Sequence, residues 1–259
     1  MAAWLLAAPA LADLRSTIAK ARPSVLPVGT FSATDSPRFG FRGSGFVVGD
    51  GTLVISNYHV LPQGSEVDPG RRLAVLGQTA GSGREAADLR LAQVVASDSV
   101  HDLVLLRIEG PALPVLALAE SGSAGEGQAV ALMGFPIGGA LGFAPVTHRG
   151  IVASITTAAL PAPRAAQLDP RALLRLRQGN FEVLQLDATA YPGNSGGPLL
   201  DVDSGRVIGV VNMVLVRGSR ETALSAPTGI TYAIPVRHVH ALLEEARNAP
   251  AASAMPQTR

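Results

Sequence analysis

Glycine and proline interrupt this chain at short intervals: 28 Gly and 19 Pro are spread over 259 residues. That punctuation leaves short apolar runs and few long polar helices, the pattern of an all-β architecture. The runs fall into two groups. The first comprises residues 24–31, a hairpin of 45–48 and 52–56 about the turn Gly49-Asp50-Gly51, then 72–76, 90–97 and 101–108. Residues 32–43 between the first two runs are polar and glycine-rich. The second group comprises 128–134, 147–155, 181–186, a hairpin over 199–213 about a turn at 201–205, and 230–234. The stretch 110–120 is proline-rich and apolar and 121–127 is small and flexible, so the two groups are joined there.

This spacing predicts a unit over residues 24–120 and a second over 121–247, preceded by a segment 1–23 and followed by a tail 248–259. Residues 236–247 read as a closing helix with Val236, Val239, Leu242 and Leu243 on its apolar face. Residues 138–143 read as a loop. Residues 156–180 form a long insertion, with Asp169 and Pro170 as cap and first residue of a helix over 171–178. Insertions that long in a compact domain are usually functional or mobile.

Composition removes several functions. With no cysteine there is no thiol nucleophile, no thiolate metal site and no disulfide. A net charge of +1 gives no electrostatic reason for a nucleic-acid or acidic-lipid partner. Residues 1–12 are apolar and end Ala10-Leu11-Ala12, a pattern like a signal-peptide cleavage site, though short and without a basic residue ahead of the apolar run. The expectation is a periplasmic or secreted protein, with a cytoplasmic location left open. No other stretch is long and apolar enough to span a bilayer.

Chemistry concentrates at Tyr191-Pro192-Gly193-Asn194-Ser195-Gly196-Gly197-Pro198. A serine between glycines can expose its hydroxyl and let a substrate come close to main-chain N–H groups. Alone, the stretch reads equally well as a Gly/Pro turn. His59, in Asn57-Tyr58-His59-Val60, follows the second strand of the first hairpin; a lone histidine there is more often a satisfied core residue. Asp102 opens a mostly apolar strand, where a carboxylate is costly unless paired. Taken together and in the order His…Asp…Ser, the three types match the needs of acyl transfer. Serine attacks, histidine takes and returns the proton, and aspartate holds the histidine tautomer.

On these residues the chain resembles the chymotrypsin-fold serine peptidases, and among them the HtrA/DegP-like branch. The resemblance is carried by Gly43-Ser44-Gly45-Phe46, Ser56-Asn57-Tyr58-His59-Val60 and His101-Asp102-Leu103-Val104-Leu105. It continues in Gly150-Ile151-Val152-Ala153-Ser154, Gln185-Leu186-Asp187-Ala188, Gly193-Asn194-Ser195-Gly196-Gly197-Pro198 and Ile208-Gly209-Val210-Val211-Asn212. It implies two six-stranded antiparallel β-barrels with the active site between them and a short C-terminal helix. It implies a serine endopeptidase with His59, Asp102 and Ser195 as its triad and the N–H groups of Gly193 and Ser195 as its oxyanion hole. Substrates would be polypeptides, unfolded or damaged, handled without metal or cofactor. Relatives often form trimers through N-terminal segments, a part that residues 14–25 could play here. By alignment, Thr189 would lie at the base of the primary pocket, Asn212, Met213 and Val214 along its wall, and Ile230 and Thr231 on the far side. None is acidic, so Arg or Lys before the scissile bond is not expected, and a small or medium aliphatic residue is.

Departures from the family pattern matter too. Tyr191 stands where HtrA-like enzymes have asparagine. His101 precedes the aspartate, where a small polar residue is usual, and competes for its carboxylate unless it points to the opposite face. No PDZ-like sequence follows the closing helix. Asn194 replaces the aspartate that pairs with a newly cut N-terminus in digestive enzymes, so activation is expected by ordering of 138–143 and 156–180, not by cleavage after Arg149. The alternative is a catalytically inactive binding or adaptor protein on the same fold. The residues also satisfy the G-x-S-x-G nucleophile elbow, but the turn at 201–205 leaves no room for the helix such an elbow needs. His238 and His240, two apart on a helix, do not share a face for a metal and are expected at the surface.

Overall fold

A computed structural model describes residues 13–62, 70–77, 88–136, 138, 142–157, 181–213 and 229–248. The N-terminal strands are β1 (Val25–Phe31), β2 (Phe39–Val48), β3 (Leu53–Asn57), β4 (Arg72–Gly77), β5 (Asp88–Asp98) and β6 (Leu103–Ile108). They close into an antiparallel barrel in the order β1-β2-β3-β6-β5-β4. The second six are β7 (Ala129–Gly134), β8 (Val146–Thr157), β9 (Glu182–Asp187), β10 (Pro198–Asp201), β11 (Val207–Asn212) and β12 (Ile230–Pro235). They close as β10-β11-β12-β9-β8-β7. Two six-stranded barrels and a C-terminal helix are the chymotrypsin-like fold. Closure leaves no unpaired strand edge in either barrel.

Each barrel is filled by one face of its strands. Leu26, Val28, Val47, Val54, Val104 and Leu106 form the interior of the first, and Val130, Leu132, Leu184, Leu186, Leu199 and Val211 that of the second. A third cluster binds the barrels to each other: Phe46, Ile55, Leu103 and Leu105 of the first meet Met133, Phe135, Leu200 and Val210 of the second. Each of these aliphatic or aromatic side chains contributes about 1.5–3 kcal/mol by leaving water. The seam between barrels is therefore a packed core rather than a wet crevice.

Two helices brace this seam. Helix α2 (Val236–Asn248) buries Val236, Val239, Leu242 and Leu243, the four residues that its periodicity selects. They join the inter-barrel cluster with Leu103 and Leu105 of β6, so a helix leaving the second barrel holds the first. Helix α1 (Leu14–Ala21) has no counterpart in the strand pattern. It buries Thr17 and Ala21, packs Ile18 on the same cluster, and its Thr17 hydroxyl donates to the Val202 carbonyl at 3.5 Å. This helix thus packs against its own chain's C-terminal barrel before the chain enters β1.

Several sequence boundaries shift. Strand β2 begins at Phe39, inside the stretch that reads as polar and glycine-rich, because Phe39 and Gly40 pair with Phe31 and Thr30 across a bulge at Val28/Gly29. Thr156 and Thr157, assigned by sequence to the long insertion, continue β8 opposite Val183 and Glu182. The rest of that insertion, with the helix expected over 171–178, lies outside the described residues, as does the signal-like segment 1–12. Among the described residues, no helix is long and apolar enough to cross a membrane.

Candidate active site

His59 sits in a single 3₁₀ turn (Tyr58–Val60) that follows β3. Its ring Nδ1 is 2.6 Å from Asp102 Oδ2, and its own backbone N–H donates to Asp102 Oδ1 at 2.8 Å. Asp102 holds its place by an uncommon backbone conformation, φ = 54°, which aspartate tolerates better than most residues. Its carbonyl accepts the Tyr58 N–H and the Asn57 side-chain amide, both at 3.0 Å. The turn and the aspartate therefore grip each other at four points. With Nδ1–H committed to the carboxylate, Nε2 is left with its lone pair, the state that a general base requires.

Asn212, at the end of β11, completes the carboxylate's shell: its Nδ2 donates to Asp102 Oδ2 at 2.7 Å. Asn212, which the sequence places on the pocket wall, thus commits its buried amide to a protein acceptor. Thr231, expected on the far side of the pocket, lies in β12. It is buried, and its hydroxyl donates to the Ala188 carbonyl at 2.7 Å, fixing the turn ahead of the nucleophile stretch. Thr189 and Met213 are half-buried and Ile230 is exposed, while Val214 lies outside the described residues.

Ser195 is 6% exposed, and its Oγ accepts the Met213 N–H at 3.4 Å. Among the described residues, the N–H groups of Gly193 and Ser195 have no protein acceptor. Gly193 has φ = 104°, and a side chain there would overlap the Phe135 carbonyl, so only glycine can bring this N–H to its position. Gly43 separates the two halves of the site: a Cβ on it would stand 2.7 Å from Val60 and 3.0 Å from the Ser195 carbonyl. The structure thus joins His59 to Asp102 and connects that pair to the Ser195 stretch across the barrels, through Asn212 at Asp102 and the next residue, Met213, at Ser195.

His101 does not compete for Asp102. It turns away to Asp98, with Nδ1 2.5 Å from Oδ2, and stacks on His238 of α2 at a ring separation of 3.8 Å. His238 is therefore not the surface residue that the sequence suggests. Burial, followed by the charges of His101 and Arg237, pushes its pKa down to about 4, against the opposing pull of Asp98 and Glu182. The sign is definite: the unfolded chain takes up this proton near its ordinary value of 6.5, the folded one only near 4. Stability from this group is complete above about pH 6.5 and falls as pH is lowered towards 4. Between pH 7 and 4.5 the thermal midpoint of the native protein should drop about 3–6 °C more than that of His238→Gln. Equal drops in calorimetry would refute the role given to His238.

Residues 43–210 match the family described as trypsin-like peptidase domain, and the chain belongs to that family. It is similar to "Serine protease HTRA2, mitochondrial" of Drosophila pseudoobscura pseudoobscura, with 30% identity over 79% of this chain and 39% of that protein. It is similar also to "Probable periplasmic serine endoprotease DegP-like" of Pseudomonas fluorescens, with 29% identity over 75% of this chain and 32% of that protein. The chain thus spans well under half the length of these curated relatives. In fold it resembles the crystal structure of the serine endoprotease from Yersinia pestis, with a TM-score of 0.61 and 23% identity over 91% of this chain and 67% of that one.

Proposed function

We propose that the chain is a serine endopeptidase that cleaves polypeptides by acyl transfer through Ser195, His59 and Asp102. The observation that supports this most is the partly buried His59–Asp102 pair, 2.6 Å apart, which the adjacent residues Asn212 and Met213 connect to a serine beside two unengaged N–H donors. In the first half-reaction, Ser195 Oγ adds to the substrate carbonyl as its proton passes to His59 Nε2. The oxygen that becomes negative is received by the N–H groups of Gly193 and Ser195, and the imidazolium is held by Asp102. His59 then returns the proton to the leaving amine, and water repeats the sequence on the acyl-enzyme. The chemistry is supplied by side chains and backbone alone.

The substrate class in this reading is unfolded polypeptide, with a small or medium aliphatic residue before the scissile bond. No acidic residue occurs among Thr189, Asn212, Met213, Val214, Ile230 and Thr231. A periplasmic setting belongs to the same reading and draws on the similarity to DegP-like proteins and on Ala10-Leu11-Ala12.

A fluorophosphonate probe tests the proposal directly. Covalent labelling at Ser195 is expected, together with cleavage of unfolded casein. Both should be lost in Ser195→Ala, and labelling in His59→Ala. A folded protein that neither takes the probe nor cuts casein would overturn the proposal in favour of a binding protein on the same fold.

A further inference from the structure

The two oxyanion donors are held by one residue from the opposite barrel. Ser44 lies in β2 and is fully buried. Its N–H donates to the Ser195 carbonyl at 2.8 Å. Its Oγ lies 2.6 Å from the Gly193 carbonyl and 3.0 Å from the Phe135 nitrogen. A backbone N–H only donates and a carbonyl only accepts, so the single hydroxyl proton must point at Gly193 while the oxygen receives Phe135. The Ser44 carbonyl in turn accepts the Ser56 hydroxyl at 2.7 Å. Ser44 is thus fixed on every side.

The geometry of the chain gives these bonds their consequence. The oxyanion donors belong to the peptide units 192–193 and 194–195. The carbonyls that Ser44 holds belong to the units that follow each of them, 193–194 and 195–196. Peptide units are planar and stiff, so clamping alternate units leaves the donor units only the torsions between clamps. The loop adds backbone bonds of its own, Asn194 N–H to the Tyr191 carbonyl and Gly197 N–H to the Asn194 carbonyl, both at 3.0 Å, but no side-chain hold. Gly193 carries no side chain, and the Asn194 side chain is buried with neither its amide nitrogen nor its oxygen hydrogen-bonded. We propose that Ser44 is a positioning residue of the oxyanion hole: its hydroxyl fixes the peptide unit 193–194, which lies between the two donor units, and its backbone N–H fixes the unit that follows Ser195. The inference rests on the reading of Ser195 as nucleophile.

Removing the hydroxyl should act on the transition state rather than on substrate binding, because the oxyanion hole engages the tetrahedral oxygen. For Ser44→Ala, kcat on a peptide substrate is expected to fall about 100-fold with KM changed less than about twofold, comparable to the loss of one oxyanion donor. Fluorophosphonate labelling of Ser195 should slow by a similar factor. Ser44→Cys, with a weaker donor, should lie between. Ser56→Ala is the control: it breaks an equally buried bond next to Ser44 but touches neither donor unit, so it should lower the thermal midpoint while leaving kcat within about threefold. Folded Ser44→Ala with kcat within threefold of the native chain would overturn the proposal. So would a Ser56→Ala loss as large as that of Ser44→Ala, which would mark a general weakening of the core. If Ser44→Ala does not fold, native turnover by Ser44→Cys overturns it instead. A native chain inert to the probe would overturn the peptidase reading itself, and this inference with it.

Discussion

Asp102→Asn is expected to lower kcat by about 10⁴-fold with the protein still folded. The fixed surroundings of the carboxylate dictate the mechanism of that loss. The His59 backbone N–H points at Oδ1 from 2.8 Å and cannot turn away, so the substituted amide must place its oxygen there. Its NH₂ then faces the His59 ring at the position of Oδ2, where the native oxygen lies 2.6 Å from Nδ1. A donor at that point requires Nδ1 to accept, which moves the ring proton to Nε2. A histidine protonated at Nε2 cannot take the Ser195 proton. Asn212, whose Nδ2 meets the same Oδ2, has to turn its own amide over to present oxygen. Activity at neutral pH against a peptide substrate, with a thermal scan as control, checks the result. A loss under about tenfold would mean that Asp102 does not set the tautomer.

Gly197→Ala should carry the largest cost to stability. A methyl group at this position would overlap the Met133 carbonyl oxygen and lie 3.0 Å from that of Asn194. Both obstacles are backbone, one in β7 at the centre of the inter-barrel cluster, the other in the nucleophile loop. The Gly197 N–H and carbonyl are also spoken for, by Asn194 at 3.0 Å and Val211 at 2.9 Å, so the residue cannot move without breaking them. Relief requires β7 and the nucleophile stretch to separate, and a penalty above about 4 kcal/mol is expected. For a protein of this size that lowers the thermal midpoint by more than about 10 °C, and probe labelling at Ser195 should disappear even where the chain remains folded. Gly125→Ala provides the comparison, since a Cβ there meets nothing within 4 Å. Equal behaviour of the two variants would refute the account.

Much of the architecture was readable because local pattern and fold agree. The turn Gly49-Asp50-Gly51 appears where the sequence puts it, with both glycines at positive φ and Asp50 Oδ1 accepting the Thr52 N–H at 2.9 Å. The closing helix buries the four residues that its period selects. Strand β2 extends beyond its sequence pattern because its first residues owe their conformation to pairing with β1 and not to their own composition. Helix α1 is not legible locally because what makes it worth forming is a surface on the second barrel, over 180 residues away at Val202.

The site divides along the same line. Gly193-Asn194-Ser195-Gly196-Gly197 and the turns at His59 and Asp102 carry their meaning locally, since each needs a residue type and a backbone freedom that a few neighbours reveal. Ser44, Asn212 and Thr231 do not. Each is an ordinary residue in an ordinary strand, and what it does is settled by the partner its side chain reaches: Gly193, Asp102 or Ala188. A glycine on each side of Ser44 was the one hint of close approach. The sequence alone determined the residue types of the site, their order and the β character of the chain, because these follow from short-range stereochemistry and periodicity. Only the tertiary structure decided which buried polar groups support Asp102 and the oxyanion loop. Hydrogen-bond satisfaction in a closed interior depends on which strands meet, and that choice belongs to the whole barrel.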